Sequence, residues 1–497
     1  MKKLIDRYNK HPMGSILLVA FIVRMFSVVF AQGYGMHDDH FLIVETSRSW
    51  ASGWDFQGWL QNSPSGHSFT YPIMMLALFK TLMFLGLNDL LTQMYIVRFL
   101  HACLSLLTVY FAYKIVFKAS NERKMANITG WILALLWCLP WLSVRNLVEI
   151  VSMPFLLWST WLYFRNSNPN TKDAVLSGIV MGIAMAFRYQ IIFFIGGFGL
   201  AMLIMKQYKN AVFWSVAVIL LFSLTQISDL FVWKRPFAEM QAYIEYNLYN
   251  SGQYPQGGFF KYFGVLLGVL VPPISVFLLF GFFYGYKRLV LFLPSFAFLL
   301  FHSIFPNKQE RFIFPIIPFV VILGVIGLNN FLIKHITNIK FKKIIRICVY
   351  ISLILNVILL VPVTLHYSKR SRVETMAYMS KYAPDVKSFI YEDTPKNDYV
   401  KMPRIYSNQS IRQFNIYSAN NNVKDSLFNP EPAFVLFTNR TNLQNRVAYM
   451  RKAYPNLEYE TTIKPSPLDF LMQKINRHNH NFTYIIYRNK DVLPQKK

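Results

Sequence analysis

In the stretch Gly35 to Pro72 the adjacent carboxylates Asp38 and Asp39 are followed by His40 and Glu45, directly after a first apolar segment. Carboxylates beside a bilayer are costly to dehydrate, and those that stay there are often kept for chemistry or transport. A boundary loop that is simply charged and solvated accounts for the same acid pair. Three further polar clusters recur along the chain: the turn Arg188-Tyr189-Gln190, a polar and aromatic stretch over 229–260 that begins near Asp229, and the run Asn307-Lys308-Gln309-Glu310-Arg311. Such clusters could offer a carboxylate as general base and fixed cations that stabilise a departing phosphate. Arginine forks onto phosphate oxygens, and lysine supplies a compact charge. Because Asp38 and Asp39 are adjacent, they point differently in either helix or strand and make a poor chelating pair. Cys103, Cys138 and Cys348 form no CxxC pair and no Cys/His cluster, so neither zinc nor a disulfide is expected.

The elements that must position these groups follow from composition. Of 497 residues, 54% are hydrophobic and only 15% charged, which predicts a polytopic α-helical membrane protein. The net charge of +27 does not point to nucleic acid, because many Lys and Arg residues sit in short loops between apolar segments and not on one soluble face.

Lys2, Lys3, Arg7 and Lys10 place the N-terminus in the cytoplasm, ahead of an uncleaved first span over 14–34. Arg24 lies within that span, where it pairs inside the bundle or snorkels. Residues 71–87 are apolar, but a crossing there would put Lys114, Lys118, Arg123 and Lys124 outside, so they read as an interfacial or re-entrant helix. Further spans are expected near 90–113, 126–143, 147–164, 174–187, 191–205, 211–227, 261–284, 289–305, 313–332 and 348–365. The turn between the third and fourth spans carries Arg145 and Glu149. This gives about eleven spans, with the N-terminus inside and the C-terminus outside, and all four polar clusters on the outer face.

The membrane domain is thus 1–366, with 35–89 as its first outer loop, and 367–497 is a soluble extracytoplasmic α/β domain. Strands are expected at 388–391, 433–438 and 483–487, and helices at 373–382, 443–453 and 467–477. His478 and His480 with the nearby basic residues read as a solvated face near anionic headgroups and not as a metal site. Sequons at Asn408, Asn439 and Asn481 would matter only in a secretory compartment.

Motifs within these clusters resemble a known family. Met36 to Glu45, MHDDHFLIVE, is similar to the HPDEHFQxxE-type motif of lipid-linked mannosyltransferases, among them the GPI-anchor and asparagine-linked-glycan enzymes. These form glycosyltransferase family twenty-two of the GT-C superfamily. Ser68-Phe69-Thr70-Tyr71-Pro72 resembles the family's S-[FY]-T-Y-P, and Asp229 to Asn247 resembles D-x-x-[FY]-Y-G-x-W…N-F-x-x-[FY]-N. Arg188 resembles an Arg that follows a small-residue-rich helix, and Asn307 to Pro318, NKQERFIFPIIP, resembles HKExRFxxPxxP. Met36, His37, Leu42, Asn307 and Gln309 depart from the pattern.

The resemblance implies a GT-C-like fold and transfer of a sugar, commonly mannose, from a polyprenyl-phosphate carrier to a glycan or lipid acceptor outside the cytoplasm. It implies no cofactor beyond the lipid-linked donor. Under it, Asp38 deprotonates the acceptor hydroxyl, with Asp39 as second candidate or acceptor-orienting group. Lys308 and Arg311, aided by Arg188, stabilise the phosphate leaving group. His40, Glu45, Tyr71, Asp229 and Glu310 bind substrate or orient loops. Two rivals share the many spans: another GT-C enzyme acting on protein or lipid A, and a flippase for polyprenyl-linked oligosaccharides, which should show internal repeats that this sequence lacks. The absence of expected disulfides and the Lys/Asn/Ile-rich usage favour a bacterial inner membrane over an endoplasmic reticulum.

Overall fold

Long runs of Leu, Ile, Val and Phe satisfy their backbone polar groups internally as helices, which is what a hydrocarbon environment demands. The computed structural model describes residues 10–37, 39–56, 58–253, 256–335, 339–393, 400–407, 411–417, 428–476 and 479–493. Among these, the helices long and apolar enough to cross a bilayer are Pro12–Phe30, Leu90–Ser120, Tyr208–Trp233, Glu310–His335 and Ile339–Thr364. Shorter apolar helices cover Thr70–Phe84, Val148–Phe164, Tyr189–Ile204 and Leu289–Ile304. The chain is an integral membrane protein.

The structure differs from the expected elements in several places. The span expected over 261–284 is two helices, Lys261–Val269 and Ile274–Tyr284, bent by 119°. Pro272 and Pro273 lie in the break, where their missing N–H groups remove helical donors. The span expected over 126–143 ends early, as helix Arg123–Leu135 followed by the short turn Leu139–Leu142. The stretch read as a loop over 229–260 contains helices Ile227–Trp233 and Ala238–Asn250.

The chain forms two compact units. The first gathers the described residues of Met1–Phe30, Asp55–Ala77 and Ile96–Leu365. Its helices approach closely where side chains are small. A Cβ on Gly327 would stand 1.9 Å from the Gly281 carbonyl oxygen, so the helix Ile317–His335 packs on Ile274–Tyr284 through bare backbone. Arg24 is buried and donates to Ser105 Oγ at 2.7 Å and to the Ala134 carbonyl at 3.1 Å, which settles it inside the bundle. Ser27 Oγ donates to the Thr364 carbonyl at 3.3 Å, so the C-terminal ends of helices Pro12–Phe30 and Ile339–Thr364 meet.

The second unit gathers Ala31–Trp54, Leu78–Tyr95 and the described residues of His366–Lys497. Two segments within 35–89 therefore group with the C-terminal region, beyond the boundary that hydropathy draws at 366. Its sheet comprises β1 Ser388–Asp393, β2 Arg412–Tyr417, β3 Phe434–Thr438, β4 Leu457–Ile463 and β5 Tyr484–Asn489, in the order β2-β1-β3-β5-β4. β1 is parallel to β2 and β3, and β5 is antiparallel to β3 and β4. Ile390, Val435, Phe437 and Ile485 pack on Val447 and Met450 of helix Leu443–Arg451. Arg446 on that helix donates to both oxygens of the buried Glu392 carboxylate, at 3.0 and 2.9 Å. β2 and β4 are rich in polar residues and are not among the expected strands.

Candidate active site

Helix Thr171–Phe187 starts on a capping box between Asn170 and Asp173 and stops where Arg188 turns extended, at φ −152°. A single 3-10 turn, Tyr189–Ile191, then leads into the next helix. This interruption leaves Arg188 off the helical path and buried against Glu149, which lies in the first turn of helix Val148–Phe164. An Arg188 guanidinium nitrogen stands 2.5 Å from Glu149 Oε1, and Arg311 Nε is 3.7 Å from the same oxygen. Glu149 is 2% exposed, Arg188 6% and Arg311 8%.

Two cations thus share one buried carboxylate, which fixes their guanidinium donors, groups that pair well with phosphate oxygens. The Phe312 ring lies 5.1 Å from the Arg188 guanidinium carbon and 5.7 Å from that of Arg311. Arg188 also donates to Gln190 Oε1 and, at 3.4 Å, to the Phe312 carbonyl. Among the described residues its Nε is buried without an acceptor. Gln190 in turn faces His302 Nε2 at 3.4 Å.

The turn Asn307 to Arg311 is fixed from below. Lys308 is buried and donates to the Ser303 carbonyl at 2.5 Å and the Gly258 carbonyl at 3.3 Å. Burial, and secondarily the Lys261 ammonium, pull the Lys308 amine below its ordinary range. Lys261 Nζ donates to the Lys308 carbonyl at 2.7 Å and pairs with Glu310 at 3.2 Å, and Tyr262 OH donates to the Gln309 carbonyl at 3.1 Å. Glu310 is exposed, so its charge faces Lys261 and solvent. Arg311 Nε also donates to Gln309 Oε1 at 2.9 Å.

Asp229 is fully buried and accepts from the Glu239 backbone N–H at 3.0 Å. Glu239 is itself a hub, accepting from Trp59 Nε1 at 2.7 Å, Trp233 Nε1 at 2.9 Å, and the N–H groups of Gly66 at 2.7 Å and His67 at 3.2 Å. Burial pushes its carboxyl upward, and these donors oppose the shift. Tyr71 OH bonds His101 Nε2 and accepts from Asn146 Nδ2 at 3.1 Å. Asp229 and Tyr71 both lie in the first unit.

In the second unit, Asp38 lies outside the described residues. Asp39 is buried and opens a wide π-helical turn over Asp39–Glu45, a distortion that often accompanies function. The His40 ring stacks on Tyr34 at 4.3 Å and on Tyr406 at 5.8 Å, and its Nε2 is 3.5 Å from Glu45 Oε1. Glu45 also accepts from the Ile405 N–H at 3.3 Å. His40 and Glu45 thus tie the acid-bearing turn to the turn Arg404–Ser407. The Lys401 ammonium lies 5.2 Å from the Phe41 ring, and burial lowers its pKa to about 8.

The structure brings Arg188 and Arg311 together and adds Glu149, a partner not among the expected site residues. Its available signal was an acid in the first turn of an otherwise apolar helix. Glu239 lies inside the Asp229 to Asn247 segment, where nothing local in the sequence marks it as a hub. Among the described residues no three His, Cys, Asp or Glu side chains are grouped so as to hold a metal ion.

Residues 15–406 match a family model described as the Alg9-like mannosyltransferase family. No curated protein sequence matches the chain. Among solved structures, ArnT from Cupriavidus metallidurans bound to undecaprenyl phosphate is similar at a TM-score of 0.62 and 12% identity, over 97% of this chain and 98% of that one. The apo state of the same ArnT gives a TM-score of 0.60 at 12% identity, with the same coverage of 97% and 98%. At this identity the likeness is one of fold.

Proposed function

The chain belongs to the Alg9-like mannosyltransferase family and is a glycosyltransferase, and from that premise we propose that it takes its sugar from a polyprenyl-phosphate carrier. The sugar, mannose or a related hexose, goes to a glycan or lipid acceptor on the extracytoplasmic face. The carrying observation is the buried Arg188–Glu149–Arg311 cluster, which fixes two guanidinium groups beside one another on a single carboxylate.

Two further observations support a lipid-linked donor. An apolar cleft of about 710 Å³, lined by Phe193, Trp214, Phe222, Phe237 and Phe301, also includes Gln190, the acceptor of an Arg188 hydrogen bond. Such a cleft suits an isoprenoid chain whose phosphate end reaches the arginines. The ArnT structure of matching fold is bound to undecaprenyl phosphate.

In the reaction, the acceptor hydroxyl oxygen attacks the anomeric carbon while the bond from that carbon to the phosphate oxygen breaks. The phosphate keeps the bonding electrons, and Arg188 and Arg311 stabilise the charge it gains. Lys308 holds the turn that carries Arg311 and adds positive charge three residues away. The acceptor proton passes to Asp38, with Asp39 as the second candidate base. Tyr71, Asp229, Glu310, His40 and Glu45 hold loops in place.

The proposed setting is a bacterial inner membrane, with the N-terminus cytoplasmic and the C-terminal domain periplasmic. The meeting of Ser27 with Thr364 puts the C-terminal ends of two spans on one side. Lys340, Lys342, Lys343 and Arg346, near the start of the last span, then share the opposite side with the basic N-terminal segment, as the positive-inside rule requires.

The test is to give purified protein a polyprenyl-phosphate sugar and an acceptor extract and to follow free polyprenyl phosphate. Release coupled to sugar transfer supports the proposal. Movement of intact donor across the bilayer without release overturns it in favour of a flippase.

A further inference from the structure

Helix Pro467–Ile475 in the second unit presents an unusual surface. Phe470 is 53% exposed, Leu471 51%, Met472 42% and Ile475 73%, while Asp469 on the opposite side is buried. At 100° per residue these four side chains cover a continuous outward arc, with Lys474 inside it and Lys464 just before the helix, both exposed. Lys474 lays its ammonium 4.7 Å from the Phe470 ring, as a snorkelling lysine does over an apolar surface. Water is a poor environment for such a face.

The helix is tied to chain segments that continue membrane spans. His366 follows the span Ile339–Thr364 by two residues, and its Nε2 lies 3.4 Å from Asp469 Oδ1. The Arg370 N–H donates to Asp469 Oδ2 at 3.3 Å. Lys369 donates to the Asn479 carbonyl and to Asn481 Oδ1, each at 3.0 Å, and Asn481 donates back to Asp469 at 3.1 Å.

A second leash comes from the first span, which ends at Phe30. The Ser368 N–H donates to the Gln32 carbonyl at 3.1 Å, and Arg372 donates to Tyr34 OH at 3.1 Å. Covalent geometry allows about 3.8 Å between successive Cα atoms, so residues 32 and 366 cannot leave the boundary where their spans end. These bonds therefore involve residues within a few positions of where two spans end.

We propose that helix Pro467–Ile475 lies in the headgroup region of the bilayer, with Phe470, Leu471, Met472 and Ile475 inserted among the acyl chains and Lys464 and Lys474 among anionic headgroups. An in-plane helix of this kind buries its apolar face about 5–10 Å into the boundary. It is a further attachment for the unit that carries Asp39 and His40. The inference rests on the chain being a membrane protein and not on the identity of its donor.

The test uses full-length protein in nanodiscs of phosphatidylethanolamine and phosphatidylglycerol. Cys103, Cys138 and Cys348 are replaced by alanine, and one nitroxide is attached at Leu471→Cys, Ile475→Cys or, as reference, Lys452→Cys, all at exposed positions. At 471 and 475 the access of molecular oxygen should exceed that of a water-soluble nickel chelate severalfold, with the reverse at 452. Equal, water-like access at all three sites overturns the proposal. So does a label shielded from both reagents, which would mean a protein cover. Spin–spin broadening that grows with the number of proteins per disc would assign the face to a second copy and would likewise overturn it.

Discussion

Glu149 and Arg188 form a buried ion pair at 2.5 Å, joining the first turn of helix Val148–Phe164 to the break after helix Thr171–Phe187. Arg311 reaches the same oxygen at 3.7 Å. Removing one member of a buried ion pair strands the other, at a cost of about 3–5 kcal/mol. Glu149→Ala should therefore lower the thermal midpoint of the purified protein. Glu149→Gln keeps the shape and should lose less stability but still cut transfer by about tenfold or more, since Arg188 is no longer held by charge. Unchanged turnover in Glu149→Gln would show that the pair does not position the arginines.

Charge alone should not suffice at Arg188. Its planar fork reaches Glu149, Gln190 and the Phe312 carbonyl together. An Arg188→Lys variant keeps the charge but loses that geometry, so kcat/KM for the lipid-linked sugar should fall by about 10- to 100-fold, roughly 1.4 to 2.7 kcal/mol. Steady-state kinetics on purified Arg188→Lys protein check this, and wild-type values would contradict it.

Glu239 binds residues from 59 to 67 to helix Ala238–Asn250 through side-chain and backbone donors. Glu239→Ala leaves these buried donors without an acceptor, and hydrogen bonds to a charged group contribute about 1.5–3 kcal/mol each at most. Faster proteolysis between Trp54 and Tyr71 in the variant, read by mass spectrometry, is the expected outcome. A wild-type cleavage rate would remove Glu239 from this structural role.

The Asp469 contacts give the second unit an acid-sensitive joint. Burial by itself would raise this carboxyl, but His366, Lys369 and the Arg370 N–H outweigh it and hold the net pKa below the ordinary value of 3.8. Because the folded value is depressed, the stabilisation is present above the unfolded pKa and is lost as pH falls through the folded one. Thermal unfolding followed by near-ultraviolet circular dichroism should show Asp469→Asn less stable than wild type at pH 6, with the gap closing below about pH 4. A gap that stays constant to pH 3 would contradict the sign.

Much of the helical architecture could be read from the sequence, because apolar runs leave a buried backbone few alternatives. The turn at Arg188 and the run through Arg311 were visible as polar interruptions between such runs. Their shared partner was not. Glu149 and Arg188 are 39 positions apart, and nothing local in either segment encodes that they touch. The bend near Pro272 and Pro273 was masked by continuous hydropathy across 261–284, which reports burial and not direction. The His40 stack between Tyr34 and Tyr406 was also invisible, since it joins residues 366 positions apart. Strands β2 and β4 failed to show for a different reason, as each holds only three apolar or aromatic residues among polar ones.

The central claim is that a carboxylate in the Asp38-Asp39 pair takes a proton while the arginine-bound phosphate departs. Its most direct measurement is the rate of sugar transfer from a polyprenyl-phosphate sugar by purified Asp38→Asn and Asp39→Asn proteins that bind donor normally. Loss of a general base typically costs about 10² to 10⁴ in rate, and Asp38→Asn is expected to show it, with a smaller loss in Asp39→Asn. Near-wild-type transfer by both variants would contradict the account.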